Sequence, residues 1–415
     1  MKILVLNSGS SSEKTCLYEI GDRLPEDPPA RLWEGKIEWD GEVSNVEIKS
    51  RRGAARKEQW KGLPRPKAIR DLLGTLWQGD HSVVASPSEI DIAGHRVVHG
   101  GPAYQEPVLI TPEVKSAIAA AAPFAPLQNR VEMEGIDIVE QTFGSIRQCA
   151  VFDTGFHRTM PLFAATYPGP YEWYGSGIRR YGFHGINHQY CAQRAAKLLG
   201  RDADTLKLVS CHLGGGCSLA AVLNGKSVDT TMGFTPLEGL MMGTRSGSID
   251  PAILIYLMRQ NGLTADQLDT ILNQKSGLLG ISGLYDDMRQ ILAGIATGNQ
   301  RAVLAFDIYV HRLRSEIGAM IAVLDGIDAL VFTAGVGENS PEVRAAACEG
   351  FRHMGLKLDA ARNKQSLPGS DIAAADSTIR VLVIPAEEDW EIARACWKLE
   401  HGPLAVPGIQ SNPGA

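Results

Sequence analysis

The strongest constraint on this chain is a pattern that it carries twice. The apolar run Lys2–Leu6 leads into Asn7-Ser-Gly-Ser-Ser-Ser12 and then into a second apolar run, Thr15–Ile20. Much further along, Leu208–Cys211 leads into His212-Leu-Gly-Gly-Gly-Cys-Ser218 and then Leu219–Leu223. Each unit reads as strand, small-residue loop, strand. Such a loop is either a plain hairpin turn or a concavity of backbone N–H groups suited to anionic oxygens. The second copy favours duplicated lobes that face one phosphate chain.

Around this pattern, short β-branched runs alternate with longer helical ones, which is α/β layering. The predicted strands are Lys2–Leu6, Ile92–Val98, Arg147–Phe152, Leu208–His212, Ser218–Leu223, Ala329–Thr333 and Arg380–Ile384. Thr111-Pro-Glu113 opens a helix through Ala122, Asp250-Pro251 opens one that stops at Gly262, and Ser340-Pro-Glu342 opens a third. Thr264 with Gln267 forms a capping box for a helix to about Asn273. Arg301 to Leu324 has helical apolar spacing and reads as a core element. At roughly 150 residues per domain, this length suggests two or three domains, enough to bury their cores without staples.

Forty-one basic against 47 acidic residues give a net charge of −6, which argues against binding nucleic acid along the chain. No run approaches about 18 apolar residues, so no membrane span is expected. Met1 to Asn7 turns polar too soon for a secretory signal. The seven cysteines are scattered without a C-x-x-C pair, so reduced thiols in a cytoplasmic protein are expected. Lys49 to Arg70 is basic and reads as a solvated surface insertion, with a patch for a polyanion as the alternative. Gly402 to Ala415, with three prolines and three glycines, is expected to fray.

Several stretches could carry chemistry. Asn7, Ser10, Ser11, Ser12 and Lys14 follow a buried strand, without Walker A or G-x-G-x-x-G spacing. Arg96 alternates with apolar neighbours and needs an anionic partner, structural or substrate. His95 and His99 fall on one face of a strand but about 13 Å apart, too far to share a metal. Asp153 ends a strand, a frequent catalytic position in open α/β sheets. His184 and His188 lack the Glu of H-E-x-x-H, and a histidine that donates to a developing phosphoryl charge is the better role. The glycine-rich Thr230–Pro251 carries Arg245, and loops of that length inside domains are usually functional. Ala334–Ser340 runs from a strand into a helix, a usual nucleotide position. Glu387-Glu-Asp389 is either a Mg²⁺ site or an acidic helix N-terminus.

Together these segments resemble the acetate kinase family, within the actin-like sugar kinase and Hsp70 superfamily. The matches are Asn7–Lys14, Gly94–Gly101, Phe152–Pro161, Arg179–His188, His212–Ser218, Ser227–Pro251, Ser276–Arg289, Phe332–Asn339 and Val383–Glu388, in family order over nearly the whole chain. The resemblance implies two actin-like (ribonuclease H-like) α/β lobes, each a mixed β-sheet flanked by helices, with an interlobe cleft. Residues 1–153 plus 389–415 would form the carboxylate and phosphate side, and 154–388 the nucleotide-binding lobe.

The implied reaction is reversible ATP- and Mg²⁺-dependent phosphorylation of acetate, in a cytoplasmic homodimer, with Mn²⁺ as a possible substitute for Mg²⁺. Catalysis falls to Asp153, His184 and Arg245, the substrate carboxylate to Arg96, and its methyl group to Val98, Leu127, Phe183 and Pro236. ATP falls to Lys14, His212, Leu213, Gly214, Gly215, Gly216, Asp287, Met288, Arg289, Gly335, Val336, Gly337, Glu338 and Asn339, and the metal to Asn7 and Glu388. The chain departs from the family at Ser8, Glu13, Gln128, Gly215, Ser248, Ala386 and Glu387. Gln128 and Gly215 remove two side chains near the phosphates, so the alternatives are a kinase for propionate or butyrate, or a catalytically impaired nucleotide-binding homologue.

Overall fold

The computed structural model describes residues 1–9, 12–124 and 126–402, without the side chains of Pro123 and of residues 126–128. The chain forms two units, one from Met1–Phe152 with the C-terminal segment that begins at Glu388, the other Asp153–Glu387.

In the first unit, the unbroken apolar run at the N-terminus makes β1 (Lys2–Ser8), buried on both faces. It joins β2 (Ser12–Glu19), β3 (Trp33–Asp40), β4 (Val43–Ser50), β5 (Gly53–Lys61), β6 (Ile92–Val97), β7 (Val108–Leu109) and β8 (Arg147–Phe152). The sheet order is β5-β4-β3-β2-β1-β6-β8-β7. β1 is antiparallel to β2 and parallel to β6, which is parallel to β8. On one face, Leu4, Leu6, Trp33 and Ile37 pack with Leu72 and Leu73 of helix Arg65–Gly74 and with Ile138 and Val139 of helix Pro126–Phe143. Alternation turns Ile3 and Val5 to the other face, which helix Glu388–His401 covers. Its Trp390 meets the Tyr18 ring edge-on at 5.6 Å.

The basic segment supplies the β4–β5 hairpin and the start of helix Arg65–Gly74. β5 is an exposed edge, and cations of this hairpin are paired within the sheet: Lys49 of β4 and Lys57 of β5 with Glu47 at 3.0 and 3.7 Å, Arg56 of β5 with Glu58 at 2.5 Å. Charges along an edge strand resist further pairing.

The second unit holds β9 (Lys207–Leu213), β10 (Cys217–Leu223), β11 (Lys226–Thr230), β12 (Ala329–Thr333), β13 (Ser370–Asp371) and β14 (Arg380–Val383). Their order is β11-β10-β9-β12-β14-β13. β9 and β10 are antiparallel, as are β10 and β11, while β9, β12 and β14 run parallel. The five strands β3-β2-β1-β6-β8 and β11-β10-β9-β12-β14 therefore share one order and one set of directions. This is the duplication that the repeated pattern predicts, in the actin-like form that the resemblance implies, and each small-residue loop follows the first strand of its unit.

Helix Gln300–Leu324 packs on β10 and buries Ala302, Ala305, Tyr309, Leu313, Ile317, Met320 and Leu324, spaced by three and four. Each fully buried large aliphatic contributes about 1.5–3 kcal/mol. The expected helix starts are present: Thr111 caps Pro112–Ala120, Thr264 and Gln267 form the capping box of Ala265–Gln274, and Ser340 caps Pro341–Glu349. The Asp250 carboxylate accepts from Ala252 N at 2.9 Å, and that helix, Ala252–Asn261, ends at left-handed Gly262. Among the described residues, no helix is long and apolar enough to cross a membrane.

Candidate active site

At the C-terminal end of β1 in the first unit, Asn7 Nδ2 donates to Glu388 Oε2 at 2.9 Å and to Asp389 Oδ1 at 3.3 Å. Arg96, on β6, brings Nη1 to 3.5 Å from Asn7 Oδ1. Asn7, Arg96 and Glu388 thus meet at one strand end. Burial pushes the Asp389 carboxyl up against the pull of Arg31, whose Nη2 is 3.6 Å away. Lys14 is exposed on β2, directly opposite Asn7 in the ladder. Val98 is buried just past β6, its N–H donating to Glu132 Oε2 at 2.9 Å. Ser10, Ser11 and the side chains of Leu127 and Gln128 lie outside the described residues, as does the chain beyond Gly402.

In the second unit, Asp153 is fully buried and its carbonyl accepts from Gly185 N at 2.9 Å. A Cβ on Gly185 would lie 2.2 Å from that carbonyl, so only glycine lets helix Gly185–Leu199 start there. His184, just before it, is left-handed at φ 58°, a conformation that costs a non-glycine residue about 1–2 kcal/mol. Its Nδ1 lies 2.9 Å from Ser218 Oγ, and its ring stacks on His212 with centroids 4.0 Å apart and planes 9° from parallel. Arg245 Nη1 donates to the Pro236 carbonyl at 2.9 Å. The point that a Cβ on Gly216 would fill is 3.4 Å from His184 Nε2 and 3.6 Å from Arg245 Nη1. The structure therefore gathers His184, His212, Gly216, Pro236 and Arg245. Phe183 is buried one residue before His184, its carbonyl 3.1 Å from His157 Nε2.

The loop that carries Arg245 has no regular structure, yet its backbone is paired. Met242 O, Gly243 O and Thr244 O accept from Leu278, Leu279 and Ser276, each at 2.9 Å. Ser248, where the resemblance implies aspartate, accepts from Gly239 N at 3.0 Å and so closes the loop on itself.

Beside this loop a cavity of about 580 Å³ is lined by Gly214, Gly215, Gly243, Asp287, Met288, Arg289, Gly335, Val336 and Asn339. Asp287 caps helix Met288–Ala296 and binds Arg289, whose hydrogen bonds hold its carboxyl below the usual range. Four residues expected at the nucleotide have other contacts. Leu213 and Gly337 are buried in the core, Glu338 Oε1 accepts from Ala386 N at 3.0 Å, and His212 Nδ1 faces Asn187 Nδ2 at 2.8 Å. His95 and His99 have separate partners, Gln148 Oε1 at 2.7 Å and Gly101 N at 2.8 Å.

Residues outside the expected set complete the surroundings of His184. Ser218 lies 2.8 Å from His188 Nε2, and His188 Nδ1 lies 2.9 Å from Ser210 Oγ. Both Ser218 and His188 fall inside the matching stretches, but spacing alone does not tie them to His184.

The acetokinase family model matches residues 2–394. An acetate kinase of Cyanothece sp. is 58% identical over 401 residues, covering 96% of this chain and 98% of that protein. Among solved structures, Porphyromonas gingivalis acetate kinase superposes with a TM-score of 0.86 at 38% identity, over 96% of this chain and 99% of the other. A propionate kinase from Francisella tularensis gives 0.86 at 36% identity, over 95% and 98%.

Proposed function

The chain belongs to the acetokinase family, and from that premise we propose that it phosphorylates acetate with ATP, giving acetyl phosphate and ADP, reversibly. The observation that carries this reading is the point above Gly216, in reach of both His184 Nε2 and Arg245 Nη1, at the edge of the cavity that Gly214 and Gly215 line. A phosphoryl group in flight spreads its charge over equatorial oxygens, and donors fixed beforehand around it stabilise that charge. An imidazole and a guanidinium on one point form such a set.

A carboxylate is already a nucleophile at pH 7, so the reaction needs no strong base. Buried Asp153 is then a positioning group, placed where the backbone enters the His184 turn. Arg96 takes the substrate carboxylate, with Val98 as an apolar neighbour for the methyl group; Phe183 and Pro236 are the apolar candidates of the second unit. The adenine nucleotide occupies the cavity, and exposed Arg289 lies on its rim.

Hard oxygen donors gathered at one strand end suit Mg²⁺, which takes one or two carboxylates and keeps several waters. Glu388 would hold it, with Asn7 orienting that carboxylate, and Mn²⁺ suits the same donors. When bound, the ion would supply charge neutralisation.

Helix Ala252–Asn261 supports a homodimer: Ile253, Ile255, Tyr256 and Met258 are each 45–62% exposed on a helix with no buried residue. A helix this apolar is normally buried, and a second copy is the occupant we assign. None of the seven cysteines, all among the described residues, is joined in a disulfide, as suits the cytoplasm.

The test is ADP release and acyl phosphate formation with acetate, propionate and butyrate, with and without Mg²⁺. Acetate should give the highest kcat/KM, only with the divalent ion. ADP without acyl phosphate, or a preference for butyrate, would overturn the assignment.

A further inference from the structure

We propose that Ser218 and His188 are positioning residues that hold His184 in its Nε2–H tautomer, through a one-way chain of hydrogen-bond donors running Ser210, His188, Ser218, His184. This rests on the reading that His184 Nε2 faces the phosphoryl group.

The geometry leaves two directions. Ser218 Oγ is 2.9 Å from His184 Nδ1 and 2.8 Å from His188 Nε2. One hydroxyl has one proton, so Ser218 donates to one ring and accepts from the other. His188 is fully buried, with the His157 and His212 rings edge-on to it at 5.7 and 6.2 Å. Burial there disfavours the charged ring, so His188 carries a single N–H. Its Nδ1 is 2.9 Å from Ser210 Oγ. Either every donor points outward to His184 Nδ1, or every donor points inward to Ser210.

Two neighbours select the outward direction. Arg245 Nη1 shares the Gly216 point with His184 Nε2, so both side chains are aimed at the place of one anionic oxygen. A neutral His184 with its proton on Nδ1 would turn a lone pair toward an anionic oxygen. With Ser218 donating to Nδ1, the proton sits on Nε2 and points at that oxygen. His212, stacked on His184, is fixed the same way. Asn187 Nδ2 can only donate, so His212 Nδ1 accepts and its proton is on Nε2, 3.6 Å from the point a Cβ on Gly214 would fill. The parallel rings then offer two Nε2–H donors to the phosphate loop.

The test uses the full-length protein with ¹⁵N-labelled histidine and long-range ¹H–¹⁵N correlation spectra, with the His184 signals assigned by their loss in His184→Gln. Near neutral pH the free protein should show His184 protonated on Nε2 only. Ser218→Ala should lose that single tautomer and lower kcat by about tenfold or more through lost ring orientation, with KM for acetate and ATP within about twofold. Ser218→Thr, which keeps the hydroxyl, should restore both. A His184 protonated on Nδ1 or on both nitrogens would overturn the proposal, as would Ser218→Ala with its tautomer and kcat unchanged. The spectrum is read without turnover, so an inactive wild type would count against the proposed reaction while leaving the tautomer measurable.

Discussion

Ser8 and Glu13 face each other across the first turn of the duplicated pattern: the Ser8 hydroxyl donates to Glu13 Oε1 at 3.0 Å, from paired positions of β1 and β2. Both residues depart from the pattern that the resemblance implies, and together they form one hydrogen-bonded pair. Arg65 completes the group, with Nη2 donating to Glu13 Oε2 at 3.4 Å and to the Gly9 carbonyl at 3.0 Å. Its guanidinium lies over the Trp39 ring at 4.0 Å. The facing ends of β1 and β2 are thus tied to each other and to Arg65.

Stability should depend on the Glu13 proton. Glu13 is fully buried, and desolvation outweighs the Ser8 bond and the Arg65 charge to push its pKa up to about 7. The folded state therefore holds the proton more tightly than the unfolded state. Stability is then lost as pH rises from about 4.5 to about 7, by about 3 kcal/mol in all, and is level above that. Glu13→Gln should gain on the wild type across this window, most above pH 7. Parallel melting-temperature profiles for the two proteins between pH 5 and 8 would show that Glu13 does not titrate there.

Gly277 anchors the Arg245 loop. It sits at φ +61°, and a Cβ on it would lie 2.2 Å from the Met242 carbonyl and 2.8 Å from that of Arg245. Gly277→Ala combines backbone strain with overlap, so it should cost about 2 kcal/mol or more. It should also lower kcat, because the overlap falls on the loop that aims Arg245. Urea unfolding and steady-state kinetics check both, and wild-type values in either would count against the anchoring role.

The parts legible in the sequence were those set by local chemistry. β1 and β12 are buried on both faces and show as unbroken apolar runs; both, and β9 with Leu208, Val209 and Cys211, are placed within a residue or two. β3 to β5 were not predicted, because charged Glu34, Lys36, Glu38, Lys57 and Glu58 alternate with Trp33, Ile37 and Trp60 and dilute the apolar signal. His184 and Arg245 stand out by residue type in glycine-rich surroundings. Ser218 does not, since its bonds to two histidines exist only once helix Gly185–Leu199 packs on β9 and β10. The same holds for Arg65, far from Glu13 in the chain, and for the paired backbone of the long loop.

Gly215 stands where the resemblance implies asparagine, and there is open space for a side chain. A Cβ there would meet nothing within 4 Å, and the position borders the nucleotide cavity. Gly215→Asn should therefore fold with an unchanged melting temperature. If the amide reaches a phosphate oxygen, kcat/KM for ATP should rise by about tenfold or more, in line with one added hydrogen bond to a charged group of about 1.5 kcal/mol or more. A fall in kcat/KM at unchanged stability would mean that backbone N–H groups already fill that role and that the smaller residue suits this chain.

Arg245 offers the sharpest separation of binding from chemistry. Its Nη1 is held by the Pro236 carbonyl at 2.9 Å, which fixes the planar guanidinium, and on the proposed reading it is fixed where charge develops. Arg245→Ala should lower kcat by about 10²- to 10³-fold while ATP affinity, read by calorimetry, stays within a few-fold. Arg245→Lys keeps the charge but loses the fork that binds Pro236 and the phosphoryl group at once, so it should recover little of the rate. Loss of ATP binding in step with kcat would instead make Arg245 a ground-state nucleotide contact and remove it from the transition state.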